Sequence, residues 1–161
     1  MKSDPPVALP PGLPNPLPIG PPATPAAWAA YYALRYAVLR QPWQQPPGSE
    51  QLPDDADPAV YHALLTDAHG TALAVGRLHP AAPGQGQVRM VAVSQRAQGQ
   101  GVGRQLMHYL EAQARQQGLA EILLHARQNA VTFYERLGYA VVAPSYTLFG
   151  QIPHVVMTKT L

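Results

Sequence analysis

A chain of 161 residues has the size of one domain and is long enough to bury a core. Only 12% of the residues are charged, the formal charge is +2, lysine occurs only at positions 2 and 159 and the nine arginines are scattered, so the chain has no electrostatic footprint for nucleic acid. Cysteine is absent, which excludes disulfides, thiolate metal sites and a cysteine nucleophile; no apolar run approaches the length of a membrane span, and prolines interrupt every candidate for a signal peptide's apolar core.

Residues 1–22 are proline-rich and favour an extended arm, either a ligand for a partner's aromatic groove or a strip lying on the domain. The arm is expected over 1–15, with a single domain over 16–161. Leu17-Pro18-Ile19 suits a short edge strand, where proline is tolerated. Thr24 and Pro25 read as an N-cap and a first-turn proline, and the helix they open should reach Arg40 before Pro42 stops it. Its apolar stripe is Trp28, Tyr31, Tyr32, Val38 and Leu39, and Arg35 falls on the same stripe. Residues 41–58 form a long loop rich in proline and aspartate, a length that is often functional.

Strands are expected at Val60–Ala68 and Ala72–His79, joined by the turn His69-Gly70, with a further turn at Gly84-Gln85-Gly86 and a strand at Gln87–Val93. A helix over Gly101–Gln117 would bury Val102, Leu106, Tyr109, Leu110 and Ala114, show Glu111 and Arg115 as an outer pair, and end at Gly118. Glu121–Ala126 reads as a buried strand and Asn129–Leu137 as a short helix closed by Gly138. Tyr139–Val142 and Val155–Thr160 are the last strands. Strand–helix alternation in the middle and hairpins at both ends indicate a mixed α/β sheet.

The most informative stretch is the passage from strand to helix through Gln98-Gly99-Gln100-Gly101-Val102-Gly103-Arg104. A strand that stops at a glycine-rich turn and restarts as a helix aims free N–H groups and the helix dipole at one place, a socket for phosphate, although a glycine-rich turn can also merely connect two elements. The dinucleotide fingerprint fails because its last glycine would be Arg104, and a P-loop fails because Gly103 is followed by Arg104-Gln105. The hexapeptide Gln98–Gly103 instead resembles the Q/R-x-x-G-x-G/A motif of the GNAT superfamily of N-acetyltransferases. Residues 129–139, NAVTFYERLGY, resemble the second motif of that superfamily. The segment Gly150–Met157 with its Ile-Pro-His resembles the ending of one bacterial branch, and Leu34–Arg40 resembles the first helix of that branch.

The resemblance implies the GNAT fold, a mixed central sheet with splayed parallel strands flanked by helices, and acetyl-coenzyme A as co-substrate. It implies that the backbone of Gln98, Gly99, Gln100, Gly101, Val102, Gly103 and Arg104 holds the diphosphate. Met90, Val91, Ala92 and Val93 would pair with the pantetheine arm, with an N–H near Val91 or Ala92 facing the thioester oxygen. Asn129 would bond near the pantetheine end and Tyr134 would act as general acid at the sulfur. A coenzyme A user is expected in the cytoplasm.

Many relatives carry a glutamate on the strand before the glycine loop, and here that strand has no carboxylate. His79, His125, His154 or a water chain are the alternatives for the base. His62, His69 and His108 read as surface residues, and no histidine spacing suggests a metal. Arg35 with Tyr32, Trp43 and Arg77 could line an acceptor cleft suited to a carboxylate or phosphate, or Arg35 could pair internally with a loop aspartate. Two functions follow. One is an N-acetyltransferase moving acetyl to a small-molecule or protein amine by direct attack. The other is a non-catalytic acyl-CoA-binding module. Both leave monomer and homodimer open.

Overall fold

The computed structural model describes residues 16–161, and the expected arm at 1–15 lies outside them. In chain order the elements are β1 (Ile19–Gly20), α1 (Pro25–Leu39), β2 (Tyr61–Thr66), β3 (Ala72–Ala82), β4 (Gln85–Val93), α2 (Val102–Gln116), β5 (Glu121–Arg127), α3 (Val131–Arg136), β6 (Ala140–Leu148) and β7 (Ile152–Thr160). The strands form one seven-stranded sheet in the order β1-β2-β3-β4-β5-β7-β6. Every neighbouring pair is antiparallel except β4 and β5.

Period-two alternation sorts the strand side chains between two faces. Leu64, Val75 and Ala92 pack against Tyr31 and Leu39 of α1. Ala63, Leu65, Val88, Leu124 and Ala126 pack with Leu106 and Leu110 of α2 and with Tyr134 of α3. Helix α1 begins as its sequence suggests: the Thr24 hydroxyl accepts from the Ala27 N–H at 3.1 Å and Pro25 occupies the first turn. The amide side chain of Gln105 on α2 bonds both the N–H and the C=O of Leu17, anchoring the entry to the edge strand β1.

Several local expectations are corrected by contacts distant in sequence. The Gly84–Gly86 turn is tighter, because Ala82 already pairs with Gln85 and Gly86 lies inside β4, where a Cβ would meet Leu119 and Leu78 within 3 Å. Glu111 is buried rather than on an outer face, and its carboxylate accepts from Lys159 at 2.9 Å and Tyr139 at 3.2 Å. Strand β6 runs on through Pro144 to Leu148, which an edge position allows. His62 is buried and bridges Tyr31 and the Asp55 carbonyl, whereas His69 and His108 are exposed. No described helix is long and apolar enough to cross a membrane.

Candidate functional site

The parallel pair is where the sheet opens. β4 and β5 are paired only from Gln85↔Glu121 to Val88↔Leu124. Beyond that point β5 stays with β7 as far as Arg127↔His154, while β4 stays with β3. The cause is a bulge in β4: Arg89 lies opposite Arg77 and Ala92 opposite Val75, so Met90 and Val91 together face the single residue Gly76. Met90 takes φ +56°, a left-handed conformation that costs a side-chain-bearing residue about 1–2 kcal/mol. The strands diverge around a cleft of about 890 Å³, and their inner edges face it without ladder partners.

At one end of the cleft stands the glycine loop. A 3₁₀ turn at Gln95–Ala97 follows β4, and α2 starts at Val102 with Gly101 as N-cap at φ +78°. Gly99 is also left-handed, at φ +73°. The first helical amide bond is Gln105 N–H to the Gly101 carbonyl, and the N–H groups of residues 99–104 have no backbone partner. Donors without partners at a helix N-terminus, with Arg104 in the first turn, fit an anionic diphosphate. Gly103 has a further reason to be glycine: a Cβ there would come within 3.3 Å of Phe133 and Val93, so the glycine permits close packing of α2 on α3 and β4.

Tyr134 lines the cleft from α3, its ring held edge-on between Phe133 and Tyr139. Burial pushes its hydroxyl up to about 12, opposed only by the Arg127 charge. Unlike the hydroxyls of Tyr31, Tyr61 and Tyr139, it makes no hydrogen bond within the described residues. Asn129 is exposed at the rim, in the turn that joins β5 to α3.

His125 on β5 and His154 on β7 line the same cleft, with the Tyr146 ring between them at 5.2 Å and 4.8 Å. His154 Nδ1 lies 2.8 Å from the Ile152 carbonyl. A carbonyl only accepts, so Nδ1 carries the hydrogen and the neutral ring presents its lone pair at Nε2. Burial lowers the His154 pKa against the raising effect of that hydrogen bond, and Arg127 and His125 lower it further. His125 Nδ1 meets the Ser145 hydroxyl at 2.5 Å, a partner that leaves its tautomer open.

The remaining expected site residues lie elsewhere. His79 does not line the cleft; its Nδ1 is 3.4 Å from Arg77 Nη2, on the side of the loop aspartates. Arg35 and Arg77 are fully buried and committed to internal partners. Arg35 donates to Asp55 at 2.7 Å, the Glu50 carbonyl at 3.0 Å and the Tyr31 hydroxyl at 2.6 Å. Arg77 donates to both oxygens of Asp54 at 2.8 Å and to Asp55 at 2.6 Å, and Tyr32 donates to Asp55 as well. The internal ion pair, not an acceptor cleft, is what Arg35, Arg77 and Tyr32 build. It ties the loop between α1 and β2 to the sheet. Trp43 is not on the cleft wall but packs under the Arg127 guanidinium, 4.4 Å from ring centre to carbon. Arginines that the sequence did not single out, Arg40, Arg89, Arg127 and Arg136, do line the cleft beside Arg104, and its wall holds no carboxylate.

The same architecture occurs in known proteins. A Lactobacillus plantarum protein described as a candidate N-acetyltransferase is 32% identical, with a TM-score of 0.77 over 90% of this chain and 97% of that one. An aminoglycoside 6′-N-acetyltransferase complexed with coenzyme A is 18% identical and shares the fold at a TM-score of 0.76, covering 89% and 97% of the two chains. The uncharacterized N-acetyltransferase YjcF of Bacillus subtilis is 34% identical over 76 residues, 47% of this chain and 54% of its own length. The chain thus spans about half the length of that curated relative. A family model described as acetyltransferase (GNAT) domain matches residues 58–161. That segment runs from just before β2 to the C-terminus and contains both forked strands, the glycine loop and Tyr134, so the chain belongs to the GNAT family of acetyltransferases.

Proposed function

We propose that the protein transfers an acetyl group from acetyl-coenzyme A to an amine, by direct attack while both substrates occupy the forked cleft. The observation that carries this reading is the set of unpartnered N–H groups over residues 99–104 at the head of a cleft between two parting strands. The co-substrate supplies a thioester open to attack by an amine, with a thiol as leaving group. Residues 99–104 hold the diphosphate through N–H donors, the helix dipole and Arg104. The exposed edge of Val91–Val93 holds the amides of the pantetheine arm as an added strand would, with Asn129 at the rim. A β4 N–H near Val91 or Ala92 stabilises charge on the acyl oxygen. Tyr134 stays protonated at neutral pH and donates to the departing sulfur. Of the three histidines, the reading favours His154 as base, because its tautomer leaves Nε2 without a partner on a ring that lines the cleft and packs against Tyr146.

Two experiments follow. Gly101→Asp places a negative charge beside the diphosphate at a left-handed position that aspartate tolerates better than most residues. Calorimetry should show coenzyme A binding weakened at least about tenfold, which is ~1.4 kcal/mol, in a variant that melts like the parent. Unchanged affinity would remove the loop from the cofactor site. Gly103→Asp is not an equivalent test, since its side chain collides with Phe133 and Val93.

The second concerns pH. A base must be neutral to accept a proton, and burial sets the His154 pKa below its ordinary value. The acid fall in kcat/KM should therefore lie below about pH 6.5, the ordinary histidine value. His154→Gln should cost roughly 10²-fold in kcat/KM and abolish that fall. A variant that keeps the parental rate and acid limb would move the base to His125 or water.

A further inference from the structure

We infer that the acceptor amine also carries an anionic group, a carboxylate or a phosphonate, gripped by Arg40, Arg89 and Arg127 at the α1 side of the cleft. The inference rests on the acetyl-transfer reading and names its substrate class. Three elements bring these guanidiniums together: the end of α1, the strand β4 just before its bulge, and the end of β5. Strand alternation gives their side. Leu124 and Ala126 pack with α2, so His125 and Arg127 point the other way. Val88 also packs with α2, and Arg89 pairs across the ladder with Arg77, which reaches the loop aspartates. The diphosphate socket at the head of α2 has its own cation in Arg104.

What this chain does with arginines it merely buries is visible a short way off. Arg35 and Arg77 each have carboxylates on their guanidiniums. Arg40, Arg89 and Arg127 have no ion-pair partner among the described residues, and no carboxylate lines the cleft with them. Arg40 and Arg127 are nonetheless held in place. Arg40 donates to the carbonyls of Leu39 and Ser49 at 3.1 Å, and Arg127 lies on Trp43. Guanidiniums without a counter-charge match a carboxylate or phosphonate, which can accept two parallel N–H bonds from one fork. The cluster also repels itself: burial and the charges of Arg35, Arg127 and Arg89 lower the Arg40 pKa. A purely cationic acceptor would add to that repulsion, and an anionic one would relieve it. The same field favours loss of the proton from the acceptor's ammonium, which suits a cleft wall without a carboxylate base.

The test compares four acceptors of similar size with saturating acetyl-coenzyme A: an α-amino acid, its amide, an aminoalkylphosphonate and a diamine. The amino acid or the aminophosphonate should exceed both the amide and the diamine in kcat/KM by at least about tenfold, and which of the two leads tells carboxylate from phosphonate. Arg89→Gln and Arg127→Gln should erase that preference by raising KM, with coenzyme A affinity changed less than about twofold, and Arg89→Lys should restore it only in part. Equal or better turnover of the amide or the diamine would overturn the inference and leave acetyl transfer standing. So would arginine variants whose defect lies in coenzyme A binding. Failure of the parent to bind coenzyme A, or to acetylate any amine, would instead sink the acetyl-transfer reading and this inference with it.

Discussion

Tyr134→Phe should lower kcat by roughly 10²-fold and leave coenzyme A affinity nearly unchanged, because the substitution deletes one hydroxyl and keeps the packed ring. That ring sits edge-on against Phe133 at 4.9 Å and Tyr139 at 5.8 Å, contacts a phenylalanine preserves. The lost hydroxyl had no partner among the described residues, so no buried donor or acceptor is orphaned and stability should hold. With its pKa near 12 the phenol is protonated across the working range and can donate as negative charge gathers on the leaving sulfur. Pre-steady-state thiol release on the preferred acceptor separates this step from product release. A phenylalanine variant with parental turnover would take Tyr134 out of the chemistry and leave it as a packing residue.

Asp55→Ala should destabilise the fold by about 3–5 kcal/mol, a large share of the roughly 5–15 kcal/mol by which such domains are stable. The carboxylate is nearly sealed from solvent and accepts from Arg35, Arg77, Tyr32 and the Leu52 N–H. Both guanidiniums have no exposure and each already leaves its Nε–H without a partner, so removing the shared acceptor strands buried charge. Asp54→Asn touches the same Arg77, yet that carboxylate is 48% exposed and solvent can replace it, so the cost should be about 1 kcal/mol or less. Urea unfolding of the two variants tests the contrast. Equal midpoints would mean the buried pair contributes no more than the exposed one.

The same pair gives a pH dependence of defined sign. Burial raises the Asp55 carboxyl, but the Leu52 N–H and the two arginines outweigh it and hold the group below the usual carboxylate range. Hydrogen bonds from Arg77 bring Asp54 down to about 2. Groups depressed in the folded state stabilise it fully above the unfolded value of about 3.9 and lose that contribution as pH falls through the folded values. Acid unfolding should therefore begin below about pH 4, and Asp55→Ala should flatten it.

The features legible in the sequence are those set by neighbours along the chain. Thr24-Pro25 opens α1, alternate glycines head α2, and Asn129 in the turn after β5 leads into the short helix that carries Tyr134, because capping, turn chemistry and helical spacing are local. What escaped depends on pairing across the sheet. Whether Arg35 faces an acceptor or an internal partner turns on Asp55, which lies 20 residues from it and answers it only once the loop folds back. Helical spacing pairs Glu111 with Arg115, whereas the fold gives it to Lys159, 48 residues on. Strand β6 gave little apolar alternation because it is an edge with mostly exposed side chains. Gly103 carried the right residue for a second reason, contact with Phe133. The bond from His154 to the Ile152 carbonyl, on which the proposed base rests, is not legible in the sequence because it depends on the side-chain conformation at the start of β7.

The most direct measurement of the central claim is product analysis. The purified protein, given acetyl-coenzyme A and the panel of amines, should yield an N-acetylated amine by mass spectrometry and one free thiol for each amide formed. Tight binding of coenzyme A with no acetylated product from any amine would contradict the claim and make the cleft a binding module that does no chemistry.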